Sequence, residues 1–255
     1  MKLQTFSRHN SGQVLIAAAL AIALIICSAT MYVHEVAKPS GNVHREFLSE
    51  FVLAVKHGSK NVLVSSLANV SVGGENSVLR ANLERWCSLV EKQYVFGECL
   101  LSFSLSNSSP YMNGFYINWT NKGYGISSAA ANFILNIHGD EATAEISYQT
   151  VVSLRLVVNG TSESLGPERT RVNLTLQVSN EAANTLAKNI TVYYRDGATW
   201  VQANSSNNLL VVDYGNGTYR ISFSASIPPE NVRVSTRVFD TREILAVANA
   251  TCSYV

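Results

Sequence analysis

The chain has 255 residues, 47% of them hydrophobic and 15% charged, with 19 basic against 18 acidic side chains for a net charge of +1. That is enough apolar material for one or two cored domains and excludes a disordered chain. Near neutrality without a basic block excludes an electrostatic footprint for nucleic acid or for an anionic membrane surface.

The first element is an uncharged apolar run over residues 14–33. Its twenty residues match the roughly 20 that cross about 30 Å of hydrocarbon as a helix. Lys2 and Arg8 precede it without an acid, and Glu35 follows it. The positive-inside rule therefore predicts a cytoplasmic leader at 1–12, a transmembrane helix at 13–33 in the lipid bilayer, and the rest of the chain outside the cell. A cleaved secretory signal is the competing reading, but Ser28-Ala29-Thr30 makes a poor cleavage site.

An exterior location is matched by nine Asn-X-Ser/Thr sequons, at Asn69, Asn107, Asn118, Asn159, Asn173, Asn189, Asn204, Asn216 and Asn249. The content of 23 Asn and 45 Ser plus Thr would give about four by chance. All nine follow the apolar run and are candidate N-glycosylation sites. Three cysteines also follow it, which permits one intramolecular bridge. Cys87 with Cys99 is the local candidate, and Cys252 could replace either.

Pro39-Ser40-Gly41 breaks the first helix. Phe47, Leu48, Phe51, Val55, Val62 and Leu63 then recur at helical spacing, with Gly58-Ser59 a potential kink. Val72-Gly73-Gly74 predicts a turn. Leu79, Leu83, Trp86, Val90 and Tyr94 form the stripe of the next helix, ending near Gly97. Residues 34–97 are thus expected to be helical and to need a partner for two apolar stripes.

The period changes at Glu98. Leu101, Phe103 and Leu105 alternate with Ser102, Ser104 and Ser106, as in a half-buried strand. Strands are also predicted at 115–119, 133–138 and 146–158, so that residues 98–160 form an antiparallel sheet under the helical hairpin. TSESLGPERT, residues 161–170, has a linker's composition. Beyond it, strands are predicted at 172–178, 189–194, 199–202, 209–212, 218–227, 232–238 and 244–248. Asp196-Gly197 and Gly215-Asn216-Gly217 serve as turns between them. Seven short strands in residues 171–255 fit a β-sandwich of immunoglobulin-like pattern. Trp200 and Tyr219 are expected as core or cross-strand residues.

The fold class expected is an N-terminal transmembrane helix, an α+β part, and an all-β immunoglobulin-like sandwich. No nucleophile with a base, paired carboxylates, phosphate cradle or metal spacing stands out, which predicts a non-enzymatic protein without cofactor or metal. Asp140 and Glu141 read as a turn tip; Asp213, Asp240 and Glu243 read as solvated acids at strand ends. Partners expected are the bilayer and other surface proteins or glycans, not nucleic acid.

The N-terminus resembles an archaeal class III signal peptide of the type IV pilin kind. The leader MKLQTFSRHNSG ends in Gly12, Gln13 follows, and the apolar helix runs on uninterrupted. The resemblance covers about the first 35 residues and implies cleavage between Gly12 and Gln13 by a prepilin peptidase. It also implies a helix that anchors the subunit or packs in a filament core. Filament-forming pilins usually carry Glu at the fifth mature position; here that position is Ala17. The expected role is a membrane-anchored, N-glycosylated surface protein in adhesion or envelope structure. A pilin-like subunit and an extracellular hydrolase or carbohydrate-binding module are the alternatives.

Overall fold

The computed structural model describes residues 41–95, 97–139, 143–181 and 183–255, with side chains from residue 48 onward. The leader, the span at 13–33, Gly12-Gln13, and the Asp140-Glu141 turn lie outside the described residues. Among the described residues no helix is long and apolar enough to cross a membrane. The chain divides into two compact units, 1–52 and 53–255. Of the first, only the start of helix α1 is described.

Helix α1 (Gly41–Ser71) and helix α2 (Val78–Gln93) are joined by the expected turn. There the amides of Gly73 and Gly74 donate to the carbonyls of Val70 and Asn69, at 3.0 Å each. Gly58 does not interrupt α1. Instead the indole of Trp86 on α2 occupies the space where a Cβ would stand. The Trp86 Nε1–H donates to Ser59 Oγ at 3.0 Å, and Ser59 Oγ donates to the Val55 carbonyl. Leu63 and Leu67 on α1 and Leu79 and Leu83 on α2 are fully buried, each contributing roughly 1.5–3 kcal/mol.

The remainder is mostly β, a mixed sheet in which, among the described residues, every strand pairing but one is antiparallel. Strands β1 (Gly97–Leu105), β2 (Phe115–Trp119), β3 (Tyr124–Gly139) and β4 (Thr143–Gly166) form the first part, with β3 central. Cys99, Leu101 and Phe103 stand opposite Ile137, Leu135 and Phe133. On the same face Phe133 stands opposite Tyr148, with ring centroids 5.1 Å apart. Tyr148 Oη meets Ser59 at 3.0 Å, so α1 lies on this face.

The second part contains β5 (Arg169–Asn180), β6 (Ala183–Asn184), β7 (Ala187–Asp196), β8 (Thr199–Gln202) and β9 (Leu210–Asp213). It is completed by β10 (Thr218–Ala225), β11 (Val232–Asp240) and β12 (Leu245–Tyr254). Two sets result, β4-β5-β10-β9 and β8-β7-β11-β12, linked where β12 runs parallel to β4 at Ser253 and Tyr254. Their buried faces meet in one core. Leu174, Leu176, Ile221 and Phe223 come from the first set, and Val192, Tyr194, Val234 and Val238 from the second. The rings of Tyr194 and Phe223 lie 5.7 Å apart.

Two strands differ instructively from the sequence reading. β3 begins at Tyr124, nine residues before the expected 133, because residues 125–131 are buried on both faces and show no alternation. The linker expected at 161–170 does not exist as such. β4 continues through Thr161 and Ser162, turns at 167–168, and returns as β5. Ser162 and Thr170 are fully buried yet satisfied: their hydroxyls donate to the carbonyls of Glu230 and Ile227. Only Ser162 and Thr170 of the segment are bonded inward; the rest are half-buried or exposed side chains of a β-hairpin rather than of a tether. β4 belongs to both parts, and no boundary at 160 or 171 separates two domains within unit 53–255.

Candidate binding groove

One face of β3 and β2 is covered at one end by the helices and at the other by the edge of β12. Gly125 on β3 packs against the Val247 carbonyl, where any Cβ would collide. The neighbouring Ser127 hydroxyl donates to the Leu245 carbonyl at 2.6 Å, and the Gly123 amide donates to the Asn249 carbonyl at 2.7 Å. Ser71 at the end of α1 accepts the Leu245 amide at 3.0 Å. These contacts hold β12 against β3 and the end of α1 and leave a concave angle beside β2.

That angle is a groove of about 990 Å³. Its floor is the outward face of the β7-β8-β11-β12 set, where Tyr193, Ser235 and Asn249 stand opposite one another on neighbouring strands. Arg237 lies beside this row, its guanidinium carbon 5.2 Å from the Tyr193 ring centroid. On β8, Trp200 stands opposite Arg195, whose guanidinium lies 5.9 Å from the indole. The far wall is Ile117 and Trp119 of β2; the end wall is the α1–α2 turn with Asn76.

Trp119 is 37% exposed and Trp200 42% exposed. The two indoles are held differently. Trp119 Nε1–H donates to Ser127 Oγ at 3.1 Å, in the same chain that ends on Leu245, whereas Trp200 sits on the edge strand. Asn249 Nδ2 donates to Asn121 Oδ1 at 3.0 Å. Among the described residues no Asp, Glu, His or Cys lines the groove, and no carboxylate pairs with Arg237. The arrangement can stack, donate hydrogen bonds and attract an anion; it holds no proton-transfer pair.

None of the nine sequon asparagines is buried. Asn69, Asn107, Asn118, Asn159, Asn189, Asn204 and Asn216 are exposed, and Asn173 and Asn249 are half-buried. Asn159 and Asn173 interlock across β4 and β5: Asn159 stands opposite Thr175, and Thr161 opposite Asn173. Each asparagine thus faces the threonine of the other's sequon, on one outward face. Asn216 occupies the β9–β10 turn, where its Oδ1 accepts the Thr218 amide at 3.1 Å.

The cysteine and acid readings need correction. Cys87, Cys99 and Cys252 are buried free thiols, and no bridge joins Cys87 to Cys99. Cys87 stands on the buried stripe of α2 and Cys99 on the buried face of β1. Burial first, and the Glu91 carboxylate second, push both thiols up to about 11. Burial pushes Cys252 up to about 12. Asp240 is no solvated strand end: it is 0% exposed and accepts the amides of Arg242 and Ile244 at 2.9 and 3.0 Å, and Arg242 Nε at 2.7 Å. Asp213 and Glu243 are exposed as expected; the latter pairs with Lys188. Tyr219 is core, its hydroxyl accepting the Ala187 amide, whereas Trp200 is cross-strand to Arg195 and also lines the groove.

Sequence reasoning did not find the groove. Its aromatic residues, Trp119, Tyr193 and Trp200, are scattered over some eighty residues of chain and share no local pattern. No protein-family model and no curated protein matches the chain.

Proposed function

We propose that this is a single-pass membrane-anchored, N-glycosylated surface protein whose β-rich head acts in adhesion or envelope structure by binding rather than catalysis. The observation that carries the reading is the placement of the sequons: nine asparagines, twice the number composition supplies, and none in the core. The uncharged run at 14–33 supports the anchor, with the N-terminus in the cytoplasm and the head outside. We read the facing sets β4-β5-β10-β9 and β8-β7-β11-β12 as an immunoglobulin-like sandwich, a likeness of pattern that transfers no function. A groove free of carboxylates favours a binding role over the hydrolase alternative.

The test is fractionation of the native cells followed by mass spectrometry of the purified protein. Recovery with membranes, with glycan mass on several of the nine asparagine peptides and digestion of the head by protease added to intact cells, is the expected result. Recovery in the cytosol without glycan mass overturns the reading.

A pilin-like subunit is the second reading, supported by Gly12-Gln13 and the apolar helix and opposed by Ala17. A mature chain beginning at Gln13 and recovered in sheared filaments favours it. A chain still beginning at Met1 rejects it.

A further inference from the structure

We propose that the groove between β2 and β12 binds an acidic oligosaccharide, one carrying uronic acid residues. The inference rests on the surface reading above and adds its ligand class. Three aromatic rings, Trp119, Tyr193 and Trp200, open into one concavity from three strands. Half-exposed rings on a rigid sheet suit the flat C–H faces of pyranose rings, which give up little conformational freedom when they stack. A bare protein surface has little reason to place two indoles, each more than a third exposed, in the same hollow.

The polar groups narrow the ligand further. Ser235 and Asn249 stand side by side on the floor; the Ser235 hydroxyl faces the ligand, and the Asn249 amide, whose Nδ2 donates to Asn121, offers its oxygen to sugar hydroxyls. Arg237 is the charged group of the floor, has no carboxylate partner among the described residues, and lies with its guanidinium carbon 5.2 Å from the Tyr193 ring centroid. A guanidinium beside an aromatic ring and without a carboxylate partner has N–H groups to offer a ligand carboxylate as a bidentate pair. A neutral glycan would leave that charge unused, and no acid in the lining would repel an anionic one.

The test uses the full chain, extracted in a detergent without a sugar headgroup, with tetragalacturonate and maltotetraose as probes and indole fluorescence as readout. The groove holds two of the three tryptophans, so occupancy reports directly. Tetragalacturonate is expected to bind at least about tenfold more tightly than maltotetraose, and more weakly as salt rises. Arg237→Gln is expected to abolish that preference, Arg237→Lys to lose less, and Trp200→Ala to weaken both probes by about tenfold. Arg220→Gln, on the outward face of β10, is expected to bind as the parent does. Trp200 lies on an exposed edge strand, so its replacement keeps the test open should Arg237→Gln misfold.

Equal affinity for the two probes overturns the acidic assignment, and absence of binding to both overturns the site. Binding seen only after Asn249→Gln also overturns it, because the chain's own glycan would then be the occupant. None of these results touches the membrane or glycan measurements, so failure here is distinct from failure of the surface reading.

Discussion

The Thr236 hydroxyl is fully buried between the facing sheets and, among the described residues, has no hydrogen-bond partner. Valine has nearly the same shape and no polar atom to desolvate. Thr236→Val is therefore expected to stabilise the protein by about 1 kcal/mol, raising Tm by about 2–4 °C in a calorimetric scan. An unchanged or lower Tm would mean the hydroxyl is satisfied. The thiols make a prediction of opposite sign. Cys87 and Cys99 titrate at about 11 and Cys252 at about 12 in the folded chain, against 9.0 when exposed. Below pH 9 both states are protonated and stability is full. Between 9 and about 11 or 12 the unfolded chain alone loses protons, so stability falls. Burial raises Tyr148 and Tyr219 as well, which adds the same sign. Urea midpoints under reducing conditions should fall steadily from pH 9 to 11, and a flat profile contradicts the burial of these groups.

Among the elements, the helical hairpin depends on a position whose local propensity and tertiary role conflict. Gly58→Ala would favour α1 by about 1 kcal/mol on helix propensity alone. The new Cβ would displace the Trp86 ring and its bond to Ser59, an overpacking cost of about 1–3 kcal/mol. The net expectation is destabilisation, read as a lower urea midpoint; a gain would show that the ring moves freely. The β11–β12 turn is held by Asp240, which accepts two amides and Arg242 Nε. Arg242 in turn reaches Glu181 at 2.7 Å and the Ser153 carbonyl at 2.8 Å, tying the turn to β4. Asp240→Ala removes the acceptor and leaves the Arg242 and Ile244 amides without their partner in a buried turn, while the guanidinium keeps only Glu181 and the Ser153 carbonyl. A loss of about 3 kcal/mol is expected in denaturant titration. A loss below about 1 kcal/mol would mean water replaces the carboxylate.

For the whole molecule, β4 decides the architecture, because one strand pairs with β3 over its first half and with β5 over its second. Residues 161–170 should accordingly resist limited proteolysis, and unit 53–255 should unfold in one transition. Cleavage at that segment into two stable fragments would restore a two-domain description. Much of this architecture was legible in the sequence. The alternation around Leu101, the helical stripe through Leu83, and the turn at Gly215-Asn216-Gly217 are short-range patterns that mirror which side of an element meets water. Elements whose two faces are both covered escaped the same logic. Residues 125–131 carry no alternation because there is no wet face, and Ser162 and Thr170 look like linker residues because their carbonyl partners lie 68 and 57 residues away. The sequence by itself determined the apolar N-terminal run, the sequons and the period of nearly every strand, since each is set by neighbours along the chain. Only the tertiary structure decided that Trp119, Tyr193, Trp200 and Arg237 share one groove, that Asp240 is buried, and that the three described cysteines are buried free thiols. The groove depends on how β12 is held against β3 beside β2, a contact between segments over a hundred residues apart.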